Sequence, residues 1–398
     1  MSLNSTPTAN RIHIGFFGKR NAGKSSIVNA VTGQQLSIVS DTKGTTTDPV
    51  FKSLELLPLG PVTVIDTAGF DDEGELGSLR IQKTMQILNK TDIAILVVDA
   101  LAGLDSFDKQ LIDIFEKKSV PYCIVYNKSD LLESVPDETD KTIYVSAVSN
   151  YKIYELKEKI TKIIPQDTIN KRIVADLINP LDLVILVIPI DESAPKGRLI
   201  LPQQQIIRDI LEIGACALTV KDTEFKDIIS TIGKKPALVI TDSQVFGKIS
   251  AECPDDVPLT SFSILLARFK GYLETAVKGV KAIETLADND TVLISEGCTH
   301  HRQCNDIGTV KLPKLLTSYT NKKLNFEFTS GNEFPQNISK YSLIIHCGGC
   351  MLNEREVKYR MNHSVSCNIP FTNYGTAIAY MNGILKKSLV MPEFKDII

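Results

Sequence analysis

Residues 18–25 read GKRNAGKS, and this octet decides the fold of the first part of the chain. It fits the pattern G-x-x-x-x-G-K-[ST], follows the apolar run IHIGFF and leads into SSIVNAV, which has the look of a helix. A strand entering and a helix leaving is the context in which such an octet wraps a phosphate chain. Gly18 and Gly23 let the backbone curl so that N–H groups around Ala22, Gly23 and Ser26 face anionic oxygens. Lys24 supplies a point charge to the β and γ oxygens, and Ser25 is suited to ligate magnesium.

Three further stretches follow in a fixed order. VTVIDTAG, 62–69, is an apolar strand ending in Asp66, which is suited to hold magnesium through water, while Gly69 can present its N–H to a γ-phosphate. Between it and the octet lies KGTTTD, 43–48, where Thr46 is placed to close over the metal. YNKSD, 126–130, ends another strand; Asp130 can accept two hydrogen bonds from a guanine edge, with Asn127 and Lys128 bracing base and loop. SAVSN, 146–150, puts Ser146 and Ala147 where a last base-contacting loop is expected. Together these pieces predict a GTPase that binds GTP and GDP with magnesium.

Outward from these motifs, strands alternate with amphipathic helices along the whole chain, which predicts an α/β protein with mostly parallel sheets. The expected architecture is a P-loop GTPase domain followed by two smaller α/β domains, with boundaries at 1–168, 175–266 and 270–398. At 398 residues the chain is too long for one ordinary core. The middle segment carries no visible chemistry, which points to a structural or oligomeric role and to a homodimer. With 44 basic and 47 acidic side chains, net −3, broad electrostatic capture of nucleic acid is not expected. LVILVIPI, 183–190, is too short to span a bilayer, so no membrane association is expected, and the polar start MSLNSTPTAN reads as cytoplasmic.

Eight cysteines in such a chain suggest metal or redox chemistry rather than disulfides. Cys123, Cys216 and Cys367 lie in apolar, strand-like runs and read as small buried hydrophobes. Cys298, Cys304, Cys347 and Cys350 lie close to His300, His301 and His346. The pattern is Cys298-Thr299-His300, a long spacer, then HCGGC at 346–350. Cys298 follows the strand TVLIS and Cys347 the strand YSLII, so a parallel sheet brings both to its carboxyl end, where ligand sites sit. Three thiolates with a histidine suit structural zinc and iron–sulfur clusters alike. Cys304 and His301 read as bystanders on the same loop.

The GTPase motifs resemble the TrmE, Era and Der branch of bacterial GTPases. Phe70 stands where Ras-like enzymes carry their water-orienting glutamine, and Asn21 matches the asparagine of potassium-activated relatives. The resemblance therefore implies slow hydrolysis stimulated by potassium. Joined to a plain middle domain and to the C-x-H…H-C-x-x-C pattern, the chain resembles the FeFe-hydrogenase maturation GTPases (HydF). That resemblance implies a 4Fe–4S cluster on Cys298, Cys347 and Cys350, with the motif histidines His300 and His346 counted in the same metal-binding set. It also implies a diiron subcluster precursor as cargo, and radical-SAM maturases and apo FeFe-hydrogenase as partners. The rival expectations are a tRNA-modifying or ribosome-assembly GTPase with structural zinc, and a GTPase that delivers nickel or zinc.

Overall fold

A computed structural model of the protein describes residues 7–33, 50–57, 59–67, 84–164, 171–190, 199–298, 306–331, 333–391 and 394. The chain divides into two compact units, 1–170 and 171–398.

The first unit is built on strands β1 (Ile12–Phe17), β2 (Val50–Leu56), β3 (Gly60–Asp66), β4 (Ile93–Asp99), β5 (Tyr122–Asn127) and β6 (Thr142–Tyr144). They form one sheet in the order β2-β3-β1-β4-β5-β6, with only β2 antiparallel to its neighbour. The central β4, IAILVVD, is buried at every position but its last, as a strand covered on both faces must be. Helices α1 (Lys24–Thr32) and α3 (Ile153–Ile163) pack Ile27, Val31, Leu156 and Ile160 against one face. Helix α2 (Ser106–Lys117) packs Leu111 and Phe115 against the other. Asp105 caps α2 by accepting from the N–H groups of Phe107 and Asp108, which fixes its first turn.

The second unit has two four-stranded sheets. The first contains β7 (Leu183–Val187), β8 (Cys216–Val220), β9 (Leu238–Thr241) and β10 (Leu259–Ser261), in the order β10-β9-β7-β8. Helices α4 (Leu201–Glu212), α5 (Phe225–Thr231), α6 (Phe246–Glu252), α7 (Phe262–Phe269) and α8 (Leu273–Val280) accompany or follow it. The second sheet contains β11 (Thr291–Ser295), β12 (Asn325–Thr329), β13 (Leu343–His346) and β14 (Phe371–Asn373), in the order β12-β11-β13-β14. Helices α9 (Leu312–Thr320), α10 (Glu354–Ser366) and α11 (Tyr374–Met381) belong with it. Every strand pair in both sheets is parallel. One apolar core joins them, running from Val184 and Ile240 of the first sheet to Leu293 and Ile344 of the second.

The α/β class with mostly parallel sheets is as the alternation of strands and helices predicts. Among the elements not anticipated are β2, β14 and helix α7. β2 is an edge strand whose sequence, VFKSLEL, is largely exposed, and β14 is only three residues long. Cys216 and Cys367 correct the reading of buried small hydrophobes: both are exposed, the first on edge strand β8 and the second at the end of α10. Cys123 is buried in β5 as expected.

Candidate nucleotide and cysteine sites

The turn from β1 into α1 is shaped by two glycines. Gly18 has φ +134°, and a Cβ there would lie 2.2 Å from the Val97 carbonyl oxygen. Gly23 has φ +89°, and a Cβ there would lie 2.1 Å from Nδ2 of Asn127. Only glycine fits both positions. Lys24 is buried inside the turn, its Nζ donating to the carbonyls of Gly18 at 2.9 Å and Lys19 at 2.7 Å. Parallel pairing sets Asp66 beside Phe16, and Ser25 Oγ donates to Asp66 Oδ2 at 2.9 Å. A hydroxyl and a carboxylate so paired, beside a phosphate loop, fit magnesium: Ser25 as ligand and Asp66 through water.

Asn127 joins the 18–26 turn to the loop that follows β6. Its Nδ2 donates to the Ala22 carbonyl at 3.0 Å, and its Oδ1 accepts from the Ala147 N–H at 3.1 Å. Ser146 is fully buried and its Oγ accepts from the Ser149 N–H at 3.2 Å, which shapes the same loop. Lys128 has φ +65° and donates to Asp99 Oδ2 at 2.5 Å. Burial raises the Asp99 carboxyl, but the Lys128 hydrogen bond and the Leu101 N–H outweigh it and hold the group below its ordinary value. Asp99, at the end of β4, is a supporting residue that the motifs did not single out; the only signal was an acid closing the apolar run IAILVV. Asp130 is exposed, and so is Asn21, which has φ +62°. Ser26 lies half-buried in the first turn of α1. Thr46, Gly69 and Phe70 lie outside the described residues.

The cysteine site forms at the carboxyl end of the second unit's last sheet. Register pairs Ser295 with His346, so the chain leaves β11 toward Cys298 and β13 toward Cys347 side by side. Cys347 Sγ accepts the N–H of Gly297 at 3.1 Å and of Gly349 at 3.3 Å. Those two residues are the immediate neighbours of Cys298 and Cys350, so both loops turn around one sulfur. Burial pushes the Cys347 thiol up despite those two N–H groups, and takes Cys350 to about 11. Buried thiols of this kind become thiolates when a metal supplies the compensating charge. The thiols are of a chemistry that suits an iron–sulfur cluster or another thiophilic metal, while among the described residues no three His, Cys, Asp or Glu side chains are gathered into a group that could hold a metal ion. His300, His301 and Cys304 lie outside the described residues.

His346 differs from the expectation of a ligand. Its ring is fully buried, Nδ1 lies 2.7 Å from the Cys347 carbonyl and Nε2 lies 3.3 Å from Arg360 Nη1. Burial first, and then the Arg360 charge, push the imidazole down to about 3, so it is neutral. An arginine can only donate, so Nε2 accepts and Nδ1 carries the proton to the carbonyl. Both nitrogens are thereby engaged with protein. Sequence reading overlooked Arg360 and Lys270, because a charged residue inside a helix or at a helix end reads as solvated.

Residues 173–271 match a family model described as the hydrogen maturase F dimerization domain. Residues 274–391 match the hydrogen maturase F tetramerization domain. The chain belongs to the hydrogen maturase F family. Its residues 13–128 match a third model, described as a 50S ribosome-binding GTPase, so the first unit is a GTPase domain. Among curated relatives, GTPase Der of Kosmotoga olearia is 32% identical over 189 residues, 43% of this chain and 42% of that protein. GTPase Der of Maridesulfovibrio salexigens is 39% identical over 129 residues, 31% of this chain and 28% of that one. The match thus spans less than half the length of these relatives. A crystal structure of Aquifex aeolicus Era bound to GDP and aluminium fluoride covers 52% of this chain and 92% of its own, at 20% identity and a TM-score of 0.35. Among the described residues no helix is long and apolar enough to cross a membrane.

In this hydrogen maturase F chain the two oligomerisation segments are not separate bodies around the cysteines. Lys270, at the end of the dimerization segment, is 2% exposed. Its Nζ donates to the Gly349 carbonyl at 2.5 Å and to that of Leu352. Burial lowers this lysine to about 8, against the opposing pull of Cys350 and Cys347. Ser263 and Leu266 of α7 lie against Gly348. The back wall of the HCGGC loop therefore comes from the dimerization segment.

Proposed function

We propose that this chain is a GTP hydrolase that serves as a scaffold for the diiron subcluster of FeFe-hydrogenase. The observation that carries the scaffold half is Cys347 Sγ receiving N–H groups from the neighbours of both Cys298 and Cys350. The proposed division of labour is nucleotide hydrolysis in 1–168, oligomerisation through 175–266, and cluster binding in 270–398. Dimerization and tetramerization descriptions of the two matched segments support a homo-oligomer.

In the hydrolytic half, Lys24 neutralises the β and γ oxygens, and the N–H groups of the 18–26 turn hold the phosphates. Ser25 and Asp66 would hold magnesium, which supplies charge stabilisation to the transferring phosphoryl group. Thr46 and Gly69 are proposed to complete that shell from the switch segments, and Asn21 to hold potassium. Asp130 reads guanine while Asn127 ties the base loop to the phosphate loop. In the scaffold half, Cys298, Cys347 and Cys350 would hold a 4Fe–4S cluster, with a site open to the diiron precursor as cargo. Proposed partners are the radical-SAM maturases that build the precursor and the apo-hydrogenase that receives it, in the cytoplasm.

The test is the iron, zinc and acid-labile sulfide content of anaerobically reconstituted protein, with an EPR spectrum after reduction. The reading expects about four irons and four sulfides per chain. One tightly held zinc without sulfide would sink the scaffold half and favour a GTPase with a structural metal.

A further inference from the structure

Arg360 is the largest fully buried side chain among the described residues, 0% exposed in the middle of α10. Its charge is balanced by Glu356 one turn earlier: Nε and Nη2 both lie 3.1 Å from Glu356 Oε1. Its other donors leave the helix. Nη1 reaches Ser295 Oγ at 3.3 Å and His346 Nε2 at 3.3 Å, and Nη2 reaches the Gly331 carbonyl at 2.7 Å. The guanidinium also lies 5.3 Å from the centre of the Phe334 ring.

Each of those acceptors continues to a cysteine. Gly331 donates its N–H to the Cys298 carbonyl at 3.3 Å. His346 donates through Nδ1 to the Cys347 carbonyl, and Ser295 accepts the Cys347 N–H on its own carbonyl at 2.9 Å. One guanidinium thus ties the backbone of the Cys298 segment, the Cys347 segment and the ends of β11 and β13. A planar group with five donors in a fixed fork can hold several acceptors at set angles, and a lysine ammonium cannot reproduce that fork. Burying such a charge is costly unless every donor is used, which makes a merely incidental arginine here hard to sustain.

We propose that Arg360 is the positioning residue of the cysteine site: it fixes the Cys298 and Cys347 segments in register and, by occupying Nε2, keeps His346 as a hydrogen-bond donor rather than a metal ligand. This rests on the cluster reading given above. Outer partners of metal ligands typically account for about 10–100-fold in metal retention.

The experiment compares wild type, Arg360→Lys and Arg360→Met after anaerobic reconstitution, following iron transfer to a chelator, with GTP turnover as the control in another unit. Iron loss faster by about 10–100-fold in both variants, with unchanged GTP turnover, is expected. Pulsed EPR on reduced, ¹⁵N-histidine-labelled protein reads His346 directly. Wild type should lack a strong ¹⁵N coupling that His346→Gln removes, and Arg360→Met should gain one. Equal iron-loss rates in all three proteins would overturn the proposal. So would a His346 coupling in wild type, which decides the matter even if the Arg360 variants fail to fold. Zinc without sulfide in wild type would instead defeat the cluster reading, and release of that zinc to the chelator would then judge Arg360 by the same comparison.

Discussion

At the scale of single residues, the nucleotide site separates side chains that read the ligand from side chains that hold the site together. Asn127 is of the second kind, because both ends of its amide are spent on Ala22 and Ala147. Lys128 is too, since its ammonium pairs with Asp99. Asp130 is exposed one residue beyond the buried Ser129, and is the proposed reader of the base. Two hydrogen bonds from guanine to a carboxylate are charge-assisted, worth roughly 1.5–3 kcal/mol each. Asp130→Asn should therefore weaken GTP binding by roughly 100-fold or more and shift preference toward xanthine nucleotides, which present the complementary acceptor. Competition binding with GTP and XTP checks this, and unchanged discrimination would remove Asp130 from base reading.

At the scale of elements, the start of the second unit is held by one carboxylate. Asp209, buried on α4, accepts at Oδ2 from the N–H groups of Ile173, Val174 and Ala175 at 2.9, 2.8 and 2.9 Å. Three buried donors depend on one oxygen, so Asp209→Ala should destabilise the second unit by about 3 kcal/mol, read by chemical denaturation. Asp209→Asn keeps an oxygen there and should lose less. None of this was legible in QQQIIRDILEI, where the acid reads as one more solvated face residue. Motifs were legible because phosphate and guanine chemistry dictate residue type at fixed spacing, as in GKRNAGKS and NKSD. The strands were legible where both faces are covered, as in IAILVVD. β2 escaped because an edge strand needs no strict apolar pattern, and Arg360 escaped because its partners lie on other strands and loops, far away in sequence. The cysteine pattern was legible, but the role of His346 was not, since only the fold shows what its two nitrogens touch.

At the scale of the whole molecule, phosphate chemistry and cysteine chemistry occupy different compact units, 1–170 and 171–398, each with its own sheets and core. Two-unit organisation makes a crosswise prediction. Lys24→Ala removes the only lysine of the phosphate turn that is buried within it, and should lower GTP turnover by at least about 100-fold, the scale of losing one preorganised charge donor. It should leave iron and sulfide content unchanged, because nothing in the core of the second unit depends on that side chain. Cys347→Ser should do the reverse: it removes the sulfur around which Gly297 and Gly349 are arranged, so iron retention should collapse while GTP turnover stays at the wild-type rate. Both proteins are measured for turnover, iron and sulfide under one set of conditions. A Lys24→Ala protein that also fails to assemble a cluster would mean that nucleotide binding is needed to build the cysteine site, and the two units would then have to be treated as one coupled machine.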